Sequence, residues 1–168
     1  MRLAALWTDS YPVAKFWFIW SDKLGLPEYP TVYITLNCMP NTFAHASKWT
    51  HFLASRAEFP AGERLLAAFH IGKVTRLCEC GCNSFDIEVP DGAVAPLAQP
   101  GDSGGSVFEL EFRTTEEQGT LEFIVLVGSN GHLAGIEVDY CANSYPVPDE
   151  IILMEPPYHV RASASLAI

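Results

Sequence analysis

Three cysteines fall within five positions in Cys78-Glu79-Cys80-Gly81-Cys82, the densest group of metal-binding and nucleophilic side chains in the chain. Thiolates bind zinc, and Cys78, Cys80 and Cys82 would supply three of the four ligands of a tetrahedral site. Cys141, His70 or His132 would be the fourth. Spacing argues the other way. Alternate residues of a regular strand stand about 7 Å apart on one face. Two thiolates on one zinc, each bonded at about 2.3 Å, stand only about 4 Å from each other. The motif therefore closes on a single metal only if Gly81 turns the chain sharply. The usual zinc-knuckle spacing is C-x-x-C, and no such pair occurs here. Free cysteine is among the most buried residue types. The expectation is thus a hairpin tip of unligated thiols and no cofactor, with a structural zinc module as the alternative.

The remaining reactive groups are more scattered. Gly101-Asp102-Ser103-Gly104-Gly105 resembles the nucleophile loop of trypsin-like serine proteases, where the serine needs a histidine base, a buried aspartate and an oxyanion hole. The rest of that pattern is missing. His45 and His51 fall in an expected helix, and too few residues precede Ser103 for the first barrel and most of the second. Gly, Ser and Asp are favoured turn residues, so the stretch reads as the turn entering the next strand. The five histidines form no pair at a ligand spacing such as i, i+4. An enzyme is not the expected class.

Charge is placed unevenly. Residues 1–78 hold five acidic side chains against eight Lys/Arg, whereas 79–155 hold fifteen against one. The whole chain carries a formal charge of −10. A block this acidic disfavours nucleic acid, whose phosphates are bound by Lys and Arg. It suits a basic partner, a cation, or solubility alone. No apolar run reaches the roughly 18 residues of a membrane span. The opening Met1-Arg2-Leu3-Ala4-Ala5-Leu6-Trp7 meets Thr8-Asp9-Ser10 too soon for a signal-peptide core. The expectation is a cytoplasmic protein with reduced cysteines.

The elements that position these groups follow from periodicity. Phe108, Leu110 and Phe112 alternate with Glu109, Glu111 and Arg113, the pattern of a strand with one dry and one wet face. Leu121, Phe123, Val125 and Val127 repeat it, and Ile124 and Leu126 make that strand apolar on both faces, so it is central. Ser129-Asn130-Gly131 is a turn. Ile136, Val138 and Tyr140 then face the core, with Glu137 and Asp139 outside. Glu109, Glu111, Glu122, Glu137 and Asp139 should share a wet face, with only Arg113 nearby to offset them. Val74–Leu77 and Phe85–Val89 read as strands flanking the cysteines. A helix is expected from Thr42 to Phe59, capped by Asn41 or Thr42, and a second from Glu63 to Phe69, stopped by Gly72. Residues 151–154 read as a short apolar tuck and 161–168 as a frayed tail. Residues 1–40 read as an aromatic-rich extension or small hairpin.

Phe59-Pro60-Ala61-Gly62, a short helix, Val74-Thr75-Arg76, the cysteine motif and Leu133-Ala134-Gly135-Ile136-Glu137-Val138 together resemble a small family of uncharacterised bacterial proteins. That family shows F-P-G, a strand running into C-x-C-G-C, and an L-x-x-[LI]-E-V strand followed by a P-x-P loop. The resemblance spans roughly residues 50–155 and implies fold boundaries without an activity. The fold expected over residues 41–160 is α+β: an antiparallel sheet of about five strands with one or two helices on one face. The expected function is non-catalytic binding through the acidic face. Its most specific form is an immunity-type inhibitor covering a basic toxin.

Overall fold

A computed structural model describes residues 40–101, 104–116 and 119–167. The expected N-terminal hairpin, Asp102 and Ser103 lie outside the described residues. Two helices, α1 (Phe43–Ala54) and α2 (Gly62–Ile71), precede six strands. These are β1 (Lys73–Leu77), β2 (Phe85–Glu88), β3 (Gly105–Thr114), β4 (Thr120–Val127), β5 (Leu133–Tyr140) and β6 (Leu153–Ala162). They form one sheet in the order β1-β2-β5-β4-β3-β6, with every neighbouring pair antiparallel. The α+β class holds, and the doubly apolar β4 lies inside the sheet.

The helices begin and end where local chemistry dictates. Thr42 caps α1, its hydroxyl accepting from the His45 backbone N–H at 3.3 Å. The helix stops at Ala54 rather than running on to Phe59. Gly62 packs directly on the Ala54 carbonyl, where any Cβ would collide, so the chain must reverse before α2. Both helices lie on the dry face of the sheet. The Trp49 and Phe52 rings each lie tilted against Phe123 with centroids 5.3 Å away, Phe59 meets Phe108 at 4.7 Å, and Phe69 meets Phe85 at 5.8 Å. The expected core residues Phe108, Leu110, Phe112, Phe123, Val125, Ile136 and Val138 are all buried, with Leu65 and Phe69 over them. Phe52 and Leu66 are half-buried.

The sixth strand is the main departure from the sequence reading. Leu153–Ala162 is a ten-residue strand paired with β3, in place of a tuck and a loose end. Pro156 and Pro157 hide it from a pattern-based reading, since proline cannot donate to a ladder. An outer strand tolerates proline, and the pairing shifts register between Glu111 and Arg113 to pass it. Beyond β6 the chain stays fastened. Leu166 is buried and bridges Ala98, and the Ala167 N–H donates to the Leu97 carbonyl at 2.8 Å.

Candidate metal centre

The cysteines leave the sheet before they meet. β1 ends at Leu77, and the Cys78 N–H donates to the Ser84 carbonyl at 2.9 Å, closing a turn over 78–84. Gly81 at φ +87° and Asn83 at φ +60° bend the chain inside it. Three outside contacts hold the turn. The Asn41 side-chain amide donates to the Ser84 carbonyl at 2.7 Å, and the Val147 N–H to the Gly81 carbonyl at 2.9 Å. The Val138 N–H donates to Ser84 Oγ at 2.9 Å. The cysteine turn is thereby tied to the N-cap region of α1, to β5 and to the Pro146-Val147-Pro148 loop.

The result is one donor set. The Sγ atoms of Cys78, Cys80 and Cys82 all lie within 4.8 Å of one another, and Cys78 and Cys80 share a thiol hydrogen bond of 2.8 Å. Zinc, bonding sulfur at about 2.3 Å, needs neighbours about 4 Å apart, so modest side-chain adjustment suffices. The expectation of an unligated thiol turn without a cofactor is therefore corrected. The spacing argument assumed a regular strand, and the turn at Gly81 removes that assumption. Nor are the thiols uniformly buried: Cys82 is, Cys78 is half-buried and Cys80 is exposed.

Ionisation is divided among them. Burial pushes the Cys78 thiol up, but hydrogen bonds from Cys80 and Cys82 and the nearby Arg76 charge outweigh it, and its pKa falls below the ordinary value. Burial and the hydrogen bonds it makes to Cys78 and Cys82 push Cys80 up to about 12. The first thiolate to form is thus the one at Cys78, stabilised by hydrogen bonds from the other two thiols and by the Arg76 charge.

None of the expected fourth ligands joins the set. Among the described residues, the metal-ligating cluster consists of Cys78, Cys80 and Cys82 alone. His132 sits in the β4–β5 turn, where its backbone N–H donates to Asn130 Oδ1, at the far end of β5 from Val138. His70 ends α2, its ring 5.9 Å from that of His51. The thiols line a cavity of about 240 Å³ together with Arg76, Asp86, Glu137, Asp139 and Asn143. Arg76 is held by Asp86 at 2.7 Å, and Asp139 accepts from the Asn143 backbone and side-chain N–H groups.

The acidic residues do share a face. Glu111 opposes Glu122, which opposes Asp139; one row away, Glu109 and Glu137 flank Ile124. The countercharges differ from those expected. β6 places His159 beside Glu111 and Arg161 beside Glu109. Arg161 bonds Glu109 at 2.8 Å and His159 approaches it at 3.8 Å, while the Arg113 guanidinium lies over the Tyr158 ring. Hydrogen bonds from Ser106 and Arg161 hold the Glu109 carboxyl below the ordinary range. Glu122 is pushed above it, by burial first and then by Glu111 and Asp139.

Compared with protein-family models, curated proteins and solved structures, the chain gives no match. The features carrying the resemblance seen in the sequence are nonetheless present. Beyond the helix that begins at Phe43, a short helix follows Phe59-Pro60-Ala61 from Gly62, and the cysteine motif forms a short hairpin turn whose Gly81 carbonyl meets the P-x-P loop. No helix among the described residues is long and apolar enough to cross a membrane.

Proposed function

We propose that this chain is a small zinc-binding module in which Cys78, Cys80 and Cys82 hold one metal ion. The observation that carries this reading is the convergence of three sulfur atoms within 4.8 Å on a turn fixed from three sides. Three thiolates on a divalent ion leave a net negative complex, and Glu137 and Asp139 add negative charge at its open side. Such a centre is a poor Lewis acid, which favours a structural role over water activation. Zinc bound here would stiffen the turn that joins β1 to β2. Protein purified without chelator and dialysed should retain one equivalent of zinc, and Cys80→Ser should lose it. Zinc-free protein that also fails to take up added zinc would sink the proposal.

A second reading concerns the acidic face. Its support is the direct opposition of Glu111, Glu122 and Asp139 across three strands, where natural sheets usually alternate signs. A basic protein would neutralise that face, and a toxin covered by its inhibitor is one partner of this kind. Metal-binding thiols would suit a reducing compartment such as the cytoplasm. Capture of a basic partner from lysate at low salt, lost in Glu111→Lys/Glu137→Lys, is the expected result. Equal capture by both proteins would leave the face a solubility device.

A further inference from the structure

The three thiols are not equivalent toward an oxidant. Cys80 is exposed, Cys78 is half-buried, and their sulfur atoms stand 2.8 Å apart. Cys82 is buried, and its thiol donates to Ser84 Oγ at 3.1 Å, which holds it in the turn. A disulfide requires about 2.05 Å between sulfurs, so the Cys78–Cys80 pair must close by less than about 1 Å. The chain leaves β1 at Leu77 and turns at Glu79 and Cys80, which sets the two sulfurs side by side.

We infer that Cys78 and Cys80 form a two-electron redox pair whose closure to a disulfide expels the metal ion. The inference builds on the zinc reading above. The oxidant is a peroxide. As a zinc ligand the exposed Cys80 would be a thiolate, and it attacks one peroxide oxygen; the S–O bond forms, the O–O bond breaks, and the leaving hydroxide takes a proton from solvent to become water. The neighbouring Cys78 thiolate then attacks the Cys80 sulfur. The S–S bond forms, the S–O bond breaks, and a second hydroxide leaves and is protonated by solvent to water. Two thiolates have lost two electrons, and one peroxide has been reduced to two waters. Only Cys82 remains as a ligand, and a single thiolate does not hold the ion. A dithiol reductant returns the electrons and restores the three-thiolate set.

The test treats the zinc-loaded full chain with hydrogen peroxide and follows zinc with a chromophoric chelator. One equivalent of zinc should appear as the thiol titre falls by two, and fragment masses should place the bridge between Cys78 and Cys80. Dithiothreitol followed by zinc should reverse both changes. Cys82→Ser should still form the bridge, whereas Cys80→Ser should not. A bridge through Cys82, oxidation to sulfinic acid without a bridge, or zinc release with no loss of thiols would overturn the inference. Chain stripped of metal is oxidised in parallel. A Cys78–Cys80 bridge there, in protein that never takes up zinc, would refute the metal reading and uphold the redox pair. Zinc uptake without a bridge would do the reverse.

Discussion

Glu122 is the residue most at odds with its surroundings, held half-buried between Glu111 and Asp139 on the neighbouring strands. Its pKa is raised by burial, then by those two carboxylates, so the fold favours its protonated form. That contribution is complete below the unfolded-state pKa and is lost as pH rises through the folded value. Glu109 has the opposite sign. Its lowered pKa stabilises the fold above the unfolded-state value, and this is lost as pH falls through the folded one. Glu122→Gln should therefore raise the urea midpoint at neutral pH and have less effect in mild acid. Equal effects at both would show that the three carboxylates do not interact. Arg161→Ala should cost at most about 1 kcal/mol, because its ion pair with Glu109 is solvent-facing. The acidic row was legible from alternation in β3, β4 and β5. Its countercharge was not, because Arg161 lies 52 residues from Glu109 and only strand pairing joins them.

At the scale of elements, the cysteine turn depends on a backbone conformation open mainly to glycine. Gly81 sits at φ +87°, and its carbonyl accepts from Val147. A side chain there costs roughly 1–2 kcal/mol in a left-handed conformation, which is on the order of a tenfold loss of affinity if the site alone bears it. Gly81→Ala should accordingly weaken zinc binding about tenfold in chelator competition while leaving the circular dichroism of the sheet unchanged. Unaltered affinity would mean that the turn is not what gathers the thiols. The sequence shows this turn only in part. It names Gly81 as the hinge on which a metal site depends, but the contacts that fix it come from Asn41, Val138 and Val147, whose approach no local pattern predicts. Five strands announce themselves by apolar alternation, while β6 does not. Its ten residues are mostly exposed, interrupted by two prolines, and shaped by an edge position rather than by a core face. The turn after β4 is likewise longer than a two-residue hairpin, since Gly128 N–H closes on the His132 carbonyl at 3.0 Å.

For the molecule as a whole, the question is whether the metal centre and the core belong to one cooperative unit. Phe123 lies fully buried under Trp49 and Phe52, and Phe123→Ala should cost about 3–5 kcal/mol through the cavity it leaves. The thiol turn stands at one edge of the same sheet, tied by Ser84 to β5, which pairs with the central β4. If these contacts couple the two regions, zinc stabilises the entire fold by mass action. An excess of free zinc 100-fold over its dissociation constant would add about 2.7 kcal/mol. The midpoint of thermal unfolding should then climb with zinc concentration in wild-type protein and stay flat in Cys80→Ser. Phe123→Ala should recover part of its lost stability as zinc is raised. Zinc that binds tightly yet leaves every midpoint unchanged would place the turn in a segment that opens on its own before the sheet unfolds. Coupling is the expected outcome, because opening the turn while the sheet survives would strip Ser84 from Val138 and Gly81 from Val147 together.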